Sequence, residues 1–278
     1  MLIITEAILA AFCVYLTERE YSRHTIDKYL HDARVLMAYA PEGIADRTQL
    51  AGFRAYLEEK HYCPVSINSM LGAVNMLLRF LNSDWRLQYC KVQRAAFLPP
   101  EKELSRKEYE RLVRAAEQQG NERLALLVQT LCALGIRVSE LSAITVDSLK
   151  NGEATIHNKG KRRTILLPDE LIAKLTAYCA ERGITAGPVF VTRTGKPLDR
   201  SNIWKMLKKL AEAAKVLAKK VFPHNLRHLF ARTHYGKFKD IVRLADILGH
   251  SSIETTRIYT ARSGKEERRQ LGQLRLIL

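Results

Sequence analysis

Between Ser66 and Leu81 the chain reads SINSMLGAVNMLLRFL, and Ile67, Leu71, Val74, Leu78 and Leu81 recur at steps of 4, 3, 4 and 3. That spacing belongs to a helix with one apolar face, which must bury its stripe against other elements. Ile26, Leu30, Ala33 and Met37 form a second stripe of the same kind. A third helix is expected from about residue 5 and a fourth around LAGFRAYLEEK, with Pro41, Gly43 and Pro64 as breaks. Residues 1–90 are therefore expected to form a small all-helical bundle. The opening MLIITEAILAAFCVYLTERE is apolar, but no positive run precedes it and Glu6 interrupts it. It reads as a core helix, not as a membrane span.

The stretch VQRAAFLPPEKELSRKEYERL holds the only Pro-Pro of the chain, and after it Ser105 and Glu108 have the spacing of a capping box that opens a new helix. We place a linker at residues 91–102 and a second domain at 103–278. In that domain a helix runs to about Gly120 and an apolar helix follows through RLALLVQTLCALG. In EATIHNKGKRRTILLP, Ala154 and Ile156 alternate with polar residues, Asn158 to Lys161 make a turn, and Thr164 to Leu167 supply a second strand. Helices resume at Asp169, at Ser201 and around His224. At the end, Leu271, Leu274 and Leu278 suggest a short tail helix with one apolar stripe. The expected fold is mainly α: a helical bundle followed by an α+β domain with a small antiparallel sheet.

Charge separates the two parts. Residues 1–98 hold 11 Lys and Arg against 10 Asp and Glu, whereas residues 99–278 hold 34 against 19, so nearly all of the net +16 belongs to the second part. Such a surface suits a polyanion, nucleic acid above all. Five cysteines, Cys13, Cys63, Cys90, Cys132 and Cys179, are scattered without a close pair, which suggests neither a disulfide framework nor a zinc site and fits a reducing cytosol.

Four places in the second domain carry phosphate-handling residues. Arg137 precedes Glu140 by three positions in LGIRVSEL, so the two side chains are expected to share a helix face. Lys159 sits at the hairpin tip, NKGKRRT. In FPHNLRHLF, His224 and Arg227 point the same way from a helix start set by Pro223. The stretch GHSSIETTRIYT adds His250 and Tyr259. Any one of these alone is an ordinary surface or packing feature. Together they match phosphodiester chemistry: two arginines clamp the non-bridging oxygens, a lysine or histidine moves a proton, and a tyrosine attacks. A phenol has a pKa of about 10, so roughly one in a thousand is ionised at neutral pH, and a strongly positive pocket is needed. No acidic cluster with two-metal spacing and no GK[ST] loop is present, so neither two-metal hydrolysis nor NTP use is indicated.

The order and spacing of ALGIRVSEL, the hairpin lysine, HNLRH, LGHSS and TTRIYT resemble the tyrosine recombinase (phage integrase) family, and the resemblance covers essentially the whole chain. It implies a SAM-like core-binding domain at 1–90 and a catalytic domain at 103–278. It also implies a site-specific recombinase that cleaves and rejoins DNA through a 3′-phosphotyrosine and exchanges strands via a Holliday junction. Carried over by position, Arg137 and Arg227 are the phosphate clamp, Lys159 the general acid toward the 5′ hydroxyl and His224 the acid/base histidine. His250 is a hydrogen-bond donor to the phosphate or nucleophile, Tyr259 the nucleophile, and Glu140 a brace for the site. Two departures stand out: Asn225 occupies a position where the family more often has Asp, and Lys161 and Arg162 compete with Lys159 for the hairpin role.

The implied partners are double-stranded DNA with specific recombination sites, three further copies in a homotetramer, and an accessory or partner recombinase. No metal, cofactor or membrane is implied. The expected place of action is the cytoplasm, at the bacterial nucleoid. Because the bundle is expected from the first residues, the arm-binding domain of some phage integrases is expected to be absent, which resembles Xer-type and small mobile-element recombinases. Two other readings use the same scaffold: a type IB topoisomerase-like enzyme that relaxes supercoils, and a DNA-binding protein without catalysis.

Overall fold

Thr5, Ser22 and Asp46 each accept a hydrogen bond from the backbone N–H three residues on, and so start helices α1 (Glu6–Glu18), α2 (Arg23–Tyr39) and α3 (Arg47–Glu59). Helix α4 (Pro64–Phe80) begins instead with proline in its first turn, where a missing N–H costs nothing. These elements come from a computed structural model that describes residues 1–92, 103–158, 161–250, 252–259 and 272–274. The chain divides into two units, Met1–Arg94 and Ala95–Leu278.

In the first unit the α4 stripe packs as its spacing requires, with Ile67, Leu71, Val74 and Leu78 all buried. On α2 the buried line is Ile26, Ala33 and Leu36, while Leu30 and Met37 are only half-buried. The core-facing stripe of that helix is thus turned slightly from the expected one. Phe12 from α1 and Phe53 from α3 complete the centre, both fully buried. Residues 83–92 have no helix or strand of their own. They are held along α4 by two asparagines seven positions apart. Asn75 accepts from the Leu87 N–H (2.8 Å) and donates to the Leu87 carbonyl (3.0 Å). Asn68 does the same at Cys90, at 2.6 and 2.9 Å. Each amide imitates a strand neighbour for a backbone that has none.

The second unit opens at α5 (Arg106–Gln118), where the capping box forms in both directions: the Glu108 N–H reaches the Ser105 hydroxyl (3.2 Å) and the Ser105 N–H reaches the Glu108 carboxylate (2.8 Å). Helix α6 (Glu122–Leu134) is apolar nearly all round and runs through the core, with Leu127, Val128 and Leu131 fully buried. A 3-10 turn (Val138–Ala143) and α7 (Val146–Asn151) lead into the antiparallel hairpin of β1 (Glu153–Asn158) and β2 (Lys161–Leu166). The second strand begins three residues earlier than the sequence suggests, because Lys161 and Arg162 pair with Asn158 and His157 despite their charge. Ala154, Ile156 and Ile165 face the core, and Leu166 points outward. Then follow α8 (Asp169–Glu181), α9 (Arg200–Ala213), α10 (Pro223–Phe238), α11 (Ile241–Leu248) and the short α12 (Ile253–Thr256), which ends in a 3-10 turn (Arg257–Tyr259). Of the tail only residues 272–274 are described, and of the expected linker only Lys91 and Val92. Among the described residues no helix is long and apolar enough to cross a membrane. All five thiols are free, and Cys63 is the exposed one.

Asn75→Ala leaves the Leu87 N–H and carbonyl unpaired in a partly buried setting, where an orphaned group costs about 1–3 kcal/mol. Hydrogen exchange at the Leu87 amide is expected to accelerate strongly in this variant while exchange at Phe53 is unchanged. Equal protection of Leu87 in variant and parent would show that the clamp does not hold the segment.

Candidate active site

Helix α6 ends where Gly135 takes a left-handed conformation (φ 59°), and a Cβ there would run into the Phe230 ring. The chain then turns sharply into Arg137. Arg137 does not share a helix face with Glu140 as its spacing suggests; it is the extended residue before the 3-10 turn, with φ −76° and ψ 151°. In that position its own N–H donates to Glu140 Oε2 (2.8 Å) while its guanidinium donates to Oε1 (3.0 Å). From the hairpin, Arg163 adds a two-pronged pair to the same carboxylate, at 3.0 and 2.8 Å. Glu140 is buried, and burial pushes its carboxyl pKa up. Arg163 and the hydrogen bonds from Arg137 outweigh that and hold it below the ordinary carboxylate value.

Proline starts α10, and His224, Arg227 and His228 project from its first turns. Arg227 is 1 % exposed, one of the largest fully buried side chains. Its guanidinium donates to the Gly135 carbonyl at the end of α6 (2.7 Å) and to the Leu248 carbonyl at the end of α11 (2.7 Å). Both acceptors are orphan groups at the negative ends of helix dipoles, where a buried cation is best tolerated. A third contact joins it to His250 Nε2 at 2.9 Å. Burial, then Arg137, lower the Arg227 pKa, whereas Tyr259 and Glu140 act in the opposite direction.

A guanidinium only donates, so His250 Nε2 must present its lone pair. The proton therefore sits on Nδ1 and is donated to the Thr256 hydroxyl, 2.8 Å away and fully buried. The neutral form is held firmly: burial, then Arg227, Arg137 and Arg163, push the His250 pKa down to about 4. His228 is likewise pushed to about 4, by burial first and then by His224, Arg232 and Arg227. For His224 burial, then Arg227 and Arg137, also lower the pKa.

Tyr259 closes the last 3-10 turn and is 3 % exposed. Its ring lies between two histidines, edge-on to His228 (centroids 4.7 Å apart, 75°) and roughly parallel to His250 (6.0 Å, 16°). His228 in turn stands edge-on to His224 at 4.6 Å. Arg137, His224 and Arg227 line one cleft of ≈ 410 Å³ together with Arg200 and Trp204. Five of the six residues picked from the sequence thus converge, with Glu140 behind them. Lys159 lies outside the described residues.

A family model described as "Phage integrase family" matches residues 102–266, and a second, "Phage integrase, N-terminal SAM-like domain", matches residues 9–84. The chain belongs to the phage integrase family. It is a tyrosine recombinase, a DNA strand transferase that performs site-specific recombination through a tyrosine intermediate. Tyrosine recombinase XerA of Pyrococcus furiosus is 30% identical over 281 residues, covering 97% of this chain and 94% of that protein. Tyrosine recombinase XerD of Caulobacter vibrioides is 32% identical over 272 residues, covering 89% of each. Among solved structures, XerA recombinase is 26% identical, with a TM-score of 0.55 over 99% of this chain and 100% of that one. XerH bound to its difH substrate before cleavage, at 22% identity, shares the fold with a TM-score of 0.68 over 93% of this chain and 82% of that one.

Sequence reasoning missed three residues of this recombinase site. Arg163 and Ile165 alternate on the inward face of β2, with buried Leu167 just past its end, and a charged residue on a face otherwise buried was the available signal. His228 follows His224 by one helical turn, the spacing that stacks side chains. Thr256 carried no signal, since its role depends on a loop closing back on His250. Asn225, which departs from the family's usual Asp, is buried and donates its amide N–H to the Lys220 carbonyl (2.7 Å), a bond an ionised Asp could not make.

Two histidines with pKa near 4 in the fold, against an ordinary 6.5, set the sign of a pH effect. Between those values the unfolded chain takes up protons that the folded chain refuses, so stability is whole above pH 6.5 and declines toward pH 4. The urea midpoint of the second unit is expected to fall over that window, and less steeply in His228→Asn. An identical slope in variant and parent would show that His228 is not held neutral.

Proposed function

We propose that Tyr259 is the nucleophile and that Arg137 and Arg227 clamp the scissile phosphate. The single observation that carries this reading is the burial of Tyr259 between His228 and His250, beside Arg227. In the step proposed, the phenol oxygen attacks phosphorus, its proton leaves, the bond from phosphorus to the 5′ oxygen breaks, and that oxygen takes up a proton. The products are a 3′-phosphotyrosine and a free 5′ hydroxyl, and attack of another strand's 5′ hydroxyl on the ester reverses the chemistry. Lys159 is the general acid for the leaving oxygen and His224 an acid/base group at the cleft. For His250, Nε2 already accepts from Arg227 and Nδ1–H is already given to Thr256, so a bond to the phosphate or the nucleophile requires exchanging one of these. Glu140 braces Arg137. No metal takes part in the step.

Four copies would exchange strands on paired sites through a Holliday junction, with the tail passing from each copy to the next and closing a ring. A partner recombinase or accessory protein is part of the same proposal, as is action in the cytoplasm. The strongly basic second unit supports backbone-dominated binding of duplex DNA.

Tyr259→Phe removes only the attacking oxygen. On a suicide substrate in EDTA the parent is expected to form a covalent adduct and the variant none, with DNA affinity retained. Adduct formation by Tyr259→Phe would move the nucleophile elsewhere, and a parent active only with magnesium would overturn the metal-free step.

Deleting residues 267–278 is expected to leave a folded, DNA-binding protein that no longer assembles synaptic complexes or recombines. Recombination at the parental rate, with normal tetramers by light scattering, would eliminate the exchanged tail.

A further inference from the structure

The Arg163 side chain is 16 % exposed, and its guanidinium touches two of the segments that build the site. One is the Arg137 turn, through its two bonds to Glu140 at 3.0 and 2.8 Å. The other is the loop that carries His250, where Gly249 is left-handed (φ +65°) and a Cβ would lie 2.7 Å from Arg163 NH1. Arg163 itself stands on β2, opposite Ile156 in the register and two residues beyond Lys161, the first residue of that strand. Three chain segments far apart in sequence therefore meet at one planar group. Both outer edges of a carboxylate are satisfied only if the guanidinium lies in its plane, so the contact fixes orientation as well as distance.

We infer that Arg163 is a positioning residue for recombination: it fixes the Arg137 turn, the β1–β2 hairpin and the His250 loop in the one relative placement that the chemistry requires. The inference rests on the roles proposed above for Arg137 and His250. Glu140 is the intermediary. With Arg163 in place, the carboxylate is held as an anion in the orientation that receives both the Arg137 N–H and its guanidinium. Without it, a buried carboxylate keeps only one cationic partner and the two segments lose their common plane. Glycine at 249 belongs to the same device, because any larger residue would push Arg163 off Glu140.

The test measures single-turnover cleavage of a suicide substrate at saturating protein, alongside DNA affinity and thermal unfolding, for Arg163→Ala, Arg163→Lys, Gly249→Ala and the Arg163→Ala/Gly249→Ala double variant. Adduct formation by the parent is the control that tests the underlying reading: its absence sinks the assignment of Tyr259, whatever the variants do. Given an active parent, Arg163→Ala is expected to slow cleavage by about 100-fold, the scale of a misplacement near 1 Å, with DNA affinity little changed. Arg163→Lys keeps charge and bulk but not the fork, and should recover only part of the rate. The loss caused by Gly249→Ala should shrink when Arg163 is already alanine, as it must if the two act through one contact. Cleavage by Arg163→Lys at the parental rate would overturn the inference, as would full additivity in the double variant. Should Arg163→Ala fail to fold, the lysine variant decides.

Discussion

A guanidinium with almost no solvent around it holds the second unit's functional end together. Taking such a charge out of water costs several kcal/mol unless good partners replace the lost hydration. Arg227 finds them in the carbonyls of Gly135 and Leu248, the last groups of α6 and α11, and in the bare nitrogen of His250. Each partner sits where a helix ends or just past it. The bonds that keep Arg227 charged therefore also set where α6 and α11 stop relative to α10. A side-chain hydrogen bond to Tyr259 adds to these.

The rest of the site follows from that concentration of positive charge. Burial disfavours the proton-bound form of His250, and Arg227, Arg137 and Arg163 add to the effect. The histidines around Tyr259 are thus neutral rings that pack against it, and His250 also holds hydrogen bonds to Arg227 and Thr256. Glu140 is the one buried carboxylate in this part of the protein among the described residues, and two arginines keep it ionised. A positive field that is only partly neutralised is what a phosphodiester and an ionising phenol both need. Two left-handed glycines make the packing possible: Gly135 admits Phe230 and Gly249 admits Arg163.

The first unit is built differently. Its core is aliphatic and aromatic, its net charge is close to neutral, and its most specific polar contacts are the two asparagines that hold residues 83–92 against α4. The unit thereby fixes the course of its own last stretch of chain without a second strand to pair with. Among the described residues, the charged chemistry lies in the second unit.

Periodicity and local capping were largely readable in the sequence, because both act over three or four residues. The α4 stripe buries from Ile67 to Leu78, the Ser105–Glu108 box closes in both directions, and a hairpin forms in the expected stretch with its second strand begun three residues early. The residues suited to phosphate chemistry were readable too, as Arg137, His224, Arg227, His250 and Tyr259 are rare side chains in recognisable settings, and the structure brings them together. Beyond that reach, partners are chosen by the fold. Arg163 meets Glu140 across 23 positions and Arg227 meets the Gly135 carbonyl across 92, distances over which no local pattern carries information. The tautomer of His250 is set by which atoms flank it after α11 and α12 have packed. Asn68 and Asn75, polar residues on a mostly apolar helix, became clamps only when the chain turned back along it. The sequence by itself determined which elements form and which chemistry they carry, because propensity and side-chain type are local; only the tertiary structure decided which charges face each other, because pairing depends on packing between distant segments.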